Sequence, residues 1–349
     1  MVGAGLMGHW HAYFARRLGA EVAAIVDGSK VAATSLARRA KTNAVFGEMG
    51  AMLDVVRPHV VHICTPLSSH LPLTLQAIEA GVHALVEKPL TQMAGQTQLL
   101  LQWAQEKGVH VCPVHQFGFQ GGVARAAEAL NSLGDALHAN FTICSAGGRA
   151  ETGVALDAIV ADILPHPLSI LQALWPCNPL QAQDWTAHSR RAGELHVQAD
   201  TGSIPVNLYI SMNAQPTRCE LDILCSGGSI HLNFFHGYAD IRQGRPSRLD
   251  KIAQPFRFAG KTFAVAATNL AGRALRRELA YPGLGALINR FYAAVKGAGR
   301  VPISAPDALA AAIVREHVIQ QAIPRVLLES GADRKPRQAA AHEHHPGAL

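Results

Sequence analysis

The sequence predicts an α/β protein in two parts: a doubly wound parallel sheet at the N-terminus, then an α+β unit built on a large, mostly antiparallel sheet. Three observations carry this. Over the first 115 residues, short apolar runs alternate with amphipathic stretches, as the strands and crossover helices of a parallel sheet do. A glycine-rich turn, Gly3-Ala4-Gly5-Leu6-Met7-Gly8, opens the first helical stretch. From about residue 136 the runs lengthen and alternate apolar with polar, as strands with one buried face do.

In the first part the expected strands are Glu21 to Val26, Val60 to Thr65, Val82 to Glu87 and Val109 to Val114. Between them the helical segments are Val31 to Ala40, Leu71 to Ala80 and Gln92 to Gln105, the last two closed by Gly81 and Gly108. In the second part the strands are Leu137 to Cys144, Glu194 to Ala199, Val206 to Met212, Glu220 to Cys225 and Ser229 to Phe234, with Ser226-Gly227-Gly228 as a hairpin turn. Residues 241 to 282 are Arg-rich without a strand period and read as loop and helix. Helices follow over Gly283 to Lys296 and Ala305 to Gln321. The division is 1–118, 119–330 and a tail, 331–349, whose composition predicts disorder. His342, His344 and His345 of that tail carry no metal expectation.

The chain has 349 residues, 49% apolar and 16% charged, with mean hydropathy +0.11. This excludes extensive disorder. The N-terminus shows no basic segment followed by an apolar core and cleavage site, and no apolar run approaches a membrane span, so a cytoplasmic protein without a membrane partner is expected. Six scattered cysteines without a C-x-x-C pair predict reduced thiols and no metal centre. The formal charge is +6, but no basic run is interleaved with aromatics, which argues against nucleic acid. An anionic cofactor or substrate accounts for that excess.

Gly3, Gly5 and Gly8 match G-x-G-x-x-G, in which the first glycine makes a tight turn, the second admits a pyrophosphate and the third packs helix on strand. Leu6 and Met7 then begin a helix whose N-terminus faces the phosphates. Asp27 follows at about the distance, roughly 20 residues, where an acidic residue engages the ribose hydroxyls. A Rossmann dinucleotide-binding unit is the reading, with NAD(H) preferred because Asp27 repels a 2′-phosphate and NADP(H) left open by Ser29 and Lys30. Such a strand normally supplies about five residues before its first glycine. Here Met1 and Val2 precede it, which predicts a misassigned start or missing apolar residues upstream.

With Cys64-Thr65-Pro66-Leu67-Ser68-Ser69-His70 and Glu87-Lys88-Pro89 added, the sequence resembles the glucose-fructose oxidoreductase and inositol dehydrogenase family, often called Gfo/Idh/MocA, over about residues 1–330. The resemblance implies that Thr65, Pro66, His70 and Glu87 line the cofactor groove and that Lys88 lies beside the nicotinamide. It also implies that a downstream D-x-x-x-H, here Asp162 and His166, faces the substrate. A histidine suits removal of a hydroxyl proton at neutral pH. Three departures stand out. Gly118 and Ser169 occupy positions where the family often has a basic residue and an aspartate. Pro165 and Pro167 disfavour a helical pairing of Asp162 with His166, and an Asp before such a proline also suits an N-cap.

His115 is a further candidate for the substrate pocket, whereas His62 and His83, inside strands, read as structural. Together these features predict an NAD(P)-dependent oxidoreductase acting on a sugar, polyol, sugar nucleotide or similar hydroxylated substrate, assembled as a homodimer or homotetramer. The alternative is a non-catalytic dinucleotide-binding sensor of the same fold.

Overall fold

The computed structural model describes all residues except 146–152, 179, 203, 245–247, 279, 325 and 327–349, so the expected disordered tail and its histidines lie outside the described residues. The first part runs α1 (Leu6–Arg17), β1 (Ile25–Val26), α2 (Lys30–Ala40), β2 (Val45–Phe46), α3 (Met49–Val56), β3 (Val60–Ile63), α4 (His70–Glu79), β4 (His83–Val86), α5 (Ala94–Glu106) and β5 (Val111–Pro113). β1 pairs parallel with β2, and β3, β4 and β5 pair parallel with one another. Val2 joins the two groups by parallel bridges to Val26 and Ile63. Its N–H donates to His62 O at 2.8 Å and its carbonyl accepts from Cys64 N–H at 2.7 Å. The residues before the glycine turn therefore hold the central strand position.

The second part comprises α6 (Gly121–Leu130), β6 (Ala136–Cys144), α7 (Gly153–Ile163), α8 (Pro165–Leu174), β7 (Trp185–His188), β8 (Glu194–Asp200), β9 (Pro205–Ser211), β10 (Arg218–Cys225), β11 (Gly228–Asn233), β12 (Tyr238–Gln243), α9 (Arg248–Leu275), α10 (Leu284–Val295) and α11 (Ala305–Ala322). Its seven strands form one sheet in the order β12-β11-β10-β6-β9-β8-β7. The β6–β9 pair is parallel and the rest antiparallel. Cys219, Leu221, Ile223 and Cys225 of β10 alternate inward, packing the sheet onto α6, α8 and α11. Residues 241–282, read as loop and helix, begin with the end of β12 and continue as the 28-residue α9. α10 returns to the first part, where Leu284, Leu287, Ile288 and Phe291 bury against Phe14, Leu85 and Val114.

The expected disruption at Pro165 and Pro167 is corrected by the structure. Leu164 keeps right-handed helical angles, φ −53° and ψ −33°, and Pro165 takes the first position of α8, where its missing N–H matters least. A proline at 165 leaves Ala161 O without its helical donor. The buried guanidinium of Arg315 fills that vacancy, Nε donating to Ala161 O at 3.0 Å. Asp162 and His166 consequently sit about one helical turn apart, not on an extended chain. The joined stretch 153–174, 22 residues with an 18-residue window of mean hydropathy 1.6, is long and apolar enough to cross a membrane by length and composition alone. Leu164, Leu168, Ile170 and Leu171 are buried in the core, which marks it as an interior helix pair.

Candidate active site

The glycine turn fits a dinucleotide on its own geometry. Gly3 has φ +93°, and a Cβ there would lie 2.5 Å from Cys64 O. At Gly8 a Cβ would meet Gly3 O at 2.0 Å, so α1 can lie this close to the strand only without a side chain. Gly5 differs, with nothing within 4 Å of its Cβ position. The N-terminus of α1 has neither a side-chain cap nor an acidic residue in its first turn, leaving its first N–H groups for an anion. Asp27 is held at the end of β1 by Ala4 N–H, donating to Oδ2 at 2.7 Å, and by Ser29 N–H, donating to Oδ1 at 2.8 Å. A carboxylate oxygen has further lone pairs, so these bonds orient Asp27 without exhausting it.

A cavity of about 1440 Å³ opens where the two parts meet, lined by Met7, Thr65, Pro66, Glu87 and Lys88 on one side and by Phe117, Asp162 and His166 on the other. Lys88, just past the end of β4, reaches across: Nζ donates to Asp162 Oδ2 at 2.5 Å and to Asp162 O at 3.1 Å. His166 is buried and stacks on Phe117 with centroids 4.2 Å apart and planes 18° off parallel. Burial, then the charges of Lys88 and His115, holds His166 well below the usual histidine range, so its imidazole is neutral at pH 7. Its Nδ1 has no hydrogen-bond partner among the described residues. A neutral imidazole and a lysine thus share one cavity, an acceptor and a donor of protons side by side.

Behind Lys88 runs a buried chain of polar groups. His11 on α1 places Nε2 3.0 Å from Glu87 Oε1 and Nδ1 2.8 Å from His62 Nδ1, and His62 Nε2 lies 2.9 Å from Tyr292 Oη on α10. Burial alone pushes the His11 imidazole down, but Cys64 and Glu87 outweigh it and raise it to about 10. His62 is held well below 6.5 by burial, His11 and the Met1 amine. A doubly protonated His11 donates to both Glu87 and His62. Neutral His62 then donates through Nε2 to Tyr292. This cation keeps Glu87 turned inward, and Lys88 pairs with Asp162 instead.

The sequence-expected residues fall into two groups. Met7, Thr65, Pro66, His70, Glu87, Lys88, Asp162 and His166 line the cavity, while Gly3, Gly5, Leu6, Gly8 and Asp27 are not among its lining residues. His70 ties the two motifs together, Nδ1 2.8 Å from Pro89 O and Nε2 2.8 Å from Thr65 O. His115 is corrected: it lines a separate small cavity with Leu90, Pro165 and Arg315, and burial followed by the Lys88 charge lowers it to about 4. Gly118 lets its segment lie against α8, since a Cβ would be 3.3 Å from Ala173 Cβ. Ser169 Oγ donates to His166 O at 2.9 Å. Sequence reasoning missed His11, Tyr292 and Arg315. A histidine within the apolar face of α1 was the available signal for the first.

Residues 1–115 match the family model described as the GFO_IDH_MocA oxidoreductase family, NAD-binding Rossmann fold. Among curated proteins, the chain is 34% identical over 96 residues to a D-glucoside 3-dehydrogenase of Escherichia coli, covering 28% of this chain and 27% of that one. It is 31% identical over 120 residues to a UDP-N-acetylglucosamine 3-dehydrogenase of Acidithiobacillus ferrooxidans, covering 33% of this chain and 37% of that one. These matches span about a quarter to a third of the relatives' length. The fold as a whole matches the crystal structure of GenD2 from gentamicin A biosynthesis in complex with NAD, with TM-score 0.71, 18% identity and 92% of each chain covered. The glycine turn and the E-K-P motif both lie within residues 1–115, the part that is similar to the Gfo/Idh/MocA oxidoreductase family, while the likeness over the rest of the chain is one of fold.

Proposed function

We propose that the protein is an NAD(P)-dependent oxidoreductase that interconverts a secondary alcohol and a carbonyl on a sugar or similar hydroxylated ring. The observation that carries this is the meeting of Lys88, Asp162 and neutral His166 in one cavity beside the glycine turn. When bound, a nicotinamide ring takes up the hydride that leaves the carbinol carbon. His166 accepts the hydroxyl proton as the carbonyl forms, and Lys88 donates a hydrogen bond to the same oxygen, held in place by Asp162. In reduction the proton returns from His166. Gly3, Gly5, Gly8 and the α1 N-terminus hold the pyrophosphate, and Asp27 the adenine-side ribose.

The relatives support this reading because two of them are sugar 3-dehydrogenases by name. The test is absorbance at 340 nm across sugars, glycosides and sugar nucleotides with each cofactor, beside titration of NADH and NADPH. Tighter NADH binding is expected, because the Asp27 carboxylate at the end of β1 repels a 2′-phosphate. Tighter NADPH binding sinks the Asp27 assignment. Cofactor binding without turnover of any candidate returns the protein to the sensor alternative.

A further inference from the structure

α9 crosses the outer side of the catalytic cavity, and Phe263, Ala266, Ala267, Leu270 and Ala274 line it from there. Phe256, Phe263 and Leu270 recur every seven residues and share one helix face. Phe263 is 76% and Leu270 66% exposed, so these large apolar groups border the cavity without being consumed by the core. The polar side of α9 is spent on anchoring. Thr262 Oγ1 donates to Asp240 Oδ2 at 2.8 Å, Asn269 Nδ2 to His236 O at 2.8 Å, and Lys261 Nζ to Ile241 O. What the helix turns toward the cavity is therefore mainly hydrocarbon.

That wall bears on which substrate fits. A nucleotide diphosphate calls for cations along its path. Among the described residues, the lysine and arginine side chains lining this cavity are Lys88, paired with Asp162, and Arg273, whose guanidinium donates to His236 O at 3.2 Å and Glu278 O at 3.3 Å. We propose that the substrate is a hydroxylated ring bearing an apolar substituent, an alkyl or aryl aglycone that lies along Phe263 and Leu270 while the ring meets Lys88 and His166. The inference rests on the sugar-oxidation reading above. It commits to the substrate's own substituent as occupant because the apolar face is continuous with the catalytic cavity.

The experiment compares methyl and octyl β-D-glucopyranoside, below the micelle concentration of the latter. Calorimetric titration into the NADH-bound protein is run beside turnover at 340 nm. Octyl glucoside is expected to bind at least about tenfold more tightly than methyl glucoside. That ratio is expected to fall toward one in Phe263→Ser and Leu270→Ser and to persist in Phe256→Ser, which lies on the same face outside the cavity lining. Exposed positions make the variants safe for the fold, and melting curves check this. Equal affinities in the wild type overturn the proposal. So does an unchanged ratio in Phe263→Ser, including the case where sedimentation shows that variant losing a subunit partner. Chain-length-dependent binding without turnover of any glycoside upholds the apolar wall and overturns the sugar-oxidation reading, whereas turnover indifferent to chain length does the reverse.

Discussion

At the scale of single residues, the proposed proton chemistry depends on His166 staying neutral in a place where Lys88 stays close. The two conditions reinforce each other: burial and the lysine charge both push the imidazole down, so it is an available acceptor across the neutral range. With the acid limb set by a histidine lowered this far, kcat/KM is expected to hold its plateau below pH 6.5. Lys88→Ala and His166→Gln are expected to lower turnover by about 10²- to 10⁴-fold, the usual cost of removing a hydrogen-bond donor to the reacting oxygen or a general base. NADH affinity should change little, because the phosphate and ribose contacts proposed above fall at the glycine turn and Asp27. Single-turnover measurements beside an NADH titration separate the two. Retention of more than about a tenth of the wild-type rate in Lys88→Ala removes the central residue of the mechanism. Combined loss of affinity, melting temperature and rate in His166→Gln makes that histidine structural.

At the scale of elements, the turn into α1 makes opposite predictions for two glycines of one motif. Gly8→Ala drives a methyl into Gly3 O, at 2.0 Å, and no flexible side chain is there to yield. It is expected to destabilise the fold by about 1–3 kcal/mol or more. Gly5→Ala meets nothing in the protein, so melting should be unchanged while NADH affinity falls at least about tenfold, or roughly 1.4 kcal/mol, as the methyl enters the space left for the pyrophosphate. Melting curves and NADH titration of both variants check this; equal stability loss in the two undoes the assignment. The same turn shows why much of the fold was legible. Gly3 to Gly8, the alternation in β10 and the Ser226-Gly227-Gly228 turn are decided by residues within a few positions of one another. The α7–α8 junction is not. Its prolines break a helix on local rules, and the donor that rescues Ala161 O is Arg315, on a helix more than a hundred residues later. β12 escaped for a related reason: Tyr238, Ala239 and Asp240 are all buried, so no alternation marks it, and Asp240 is tolerated there by Arg242 and Thr262.

At the scale of the whole molecule, buried histidines of opposite sign shape stability against pH. His166, His62 and His115 are lowered, so below about pH 6.5 the unfolded chain binds protons that the folded one refuses, and stability falls with acid. His11 acts in reverse. Its folded value is raised to about 10, so the folded chain keeps a proton that the unfolded chain sheds above about 6.5. The stability it contributes is complete below pH 6.5 and lost as pH rises through 10. The groups facing it are Glu87, Cys64 and His62, with Tyr292 beyond, which ties α1, β3, β4 and α10 together at one cation. Other groups also bind protons differently in the folded and unfolded chain within this window, the Met1 amine lowered from 8.0 to about 6 and the thiols of Cys112 and Cys219 raised from 9.0 to about 12, so the wild-type curve alone is not diagnostic. The difference between wild type and His11→Gln isolates the effect, since those groups are common to both. Glutamine can still donate to Glu87 but carries no charge. The stability gap, from urea unfolding at intervals between pH 6.5 and 10, is expected to shrink as pH rises, with a slope approaching about 1.4 kcal/mol per pH unit. A gap constant across that range means that His11 is neutral in the folded protein, and the charge that keeps Glu87 away from Lys88 must then be sought elsewhere.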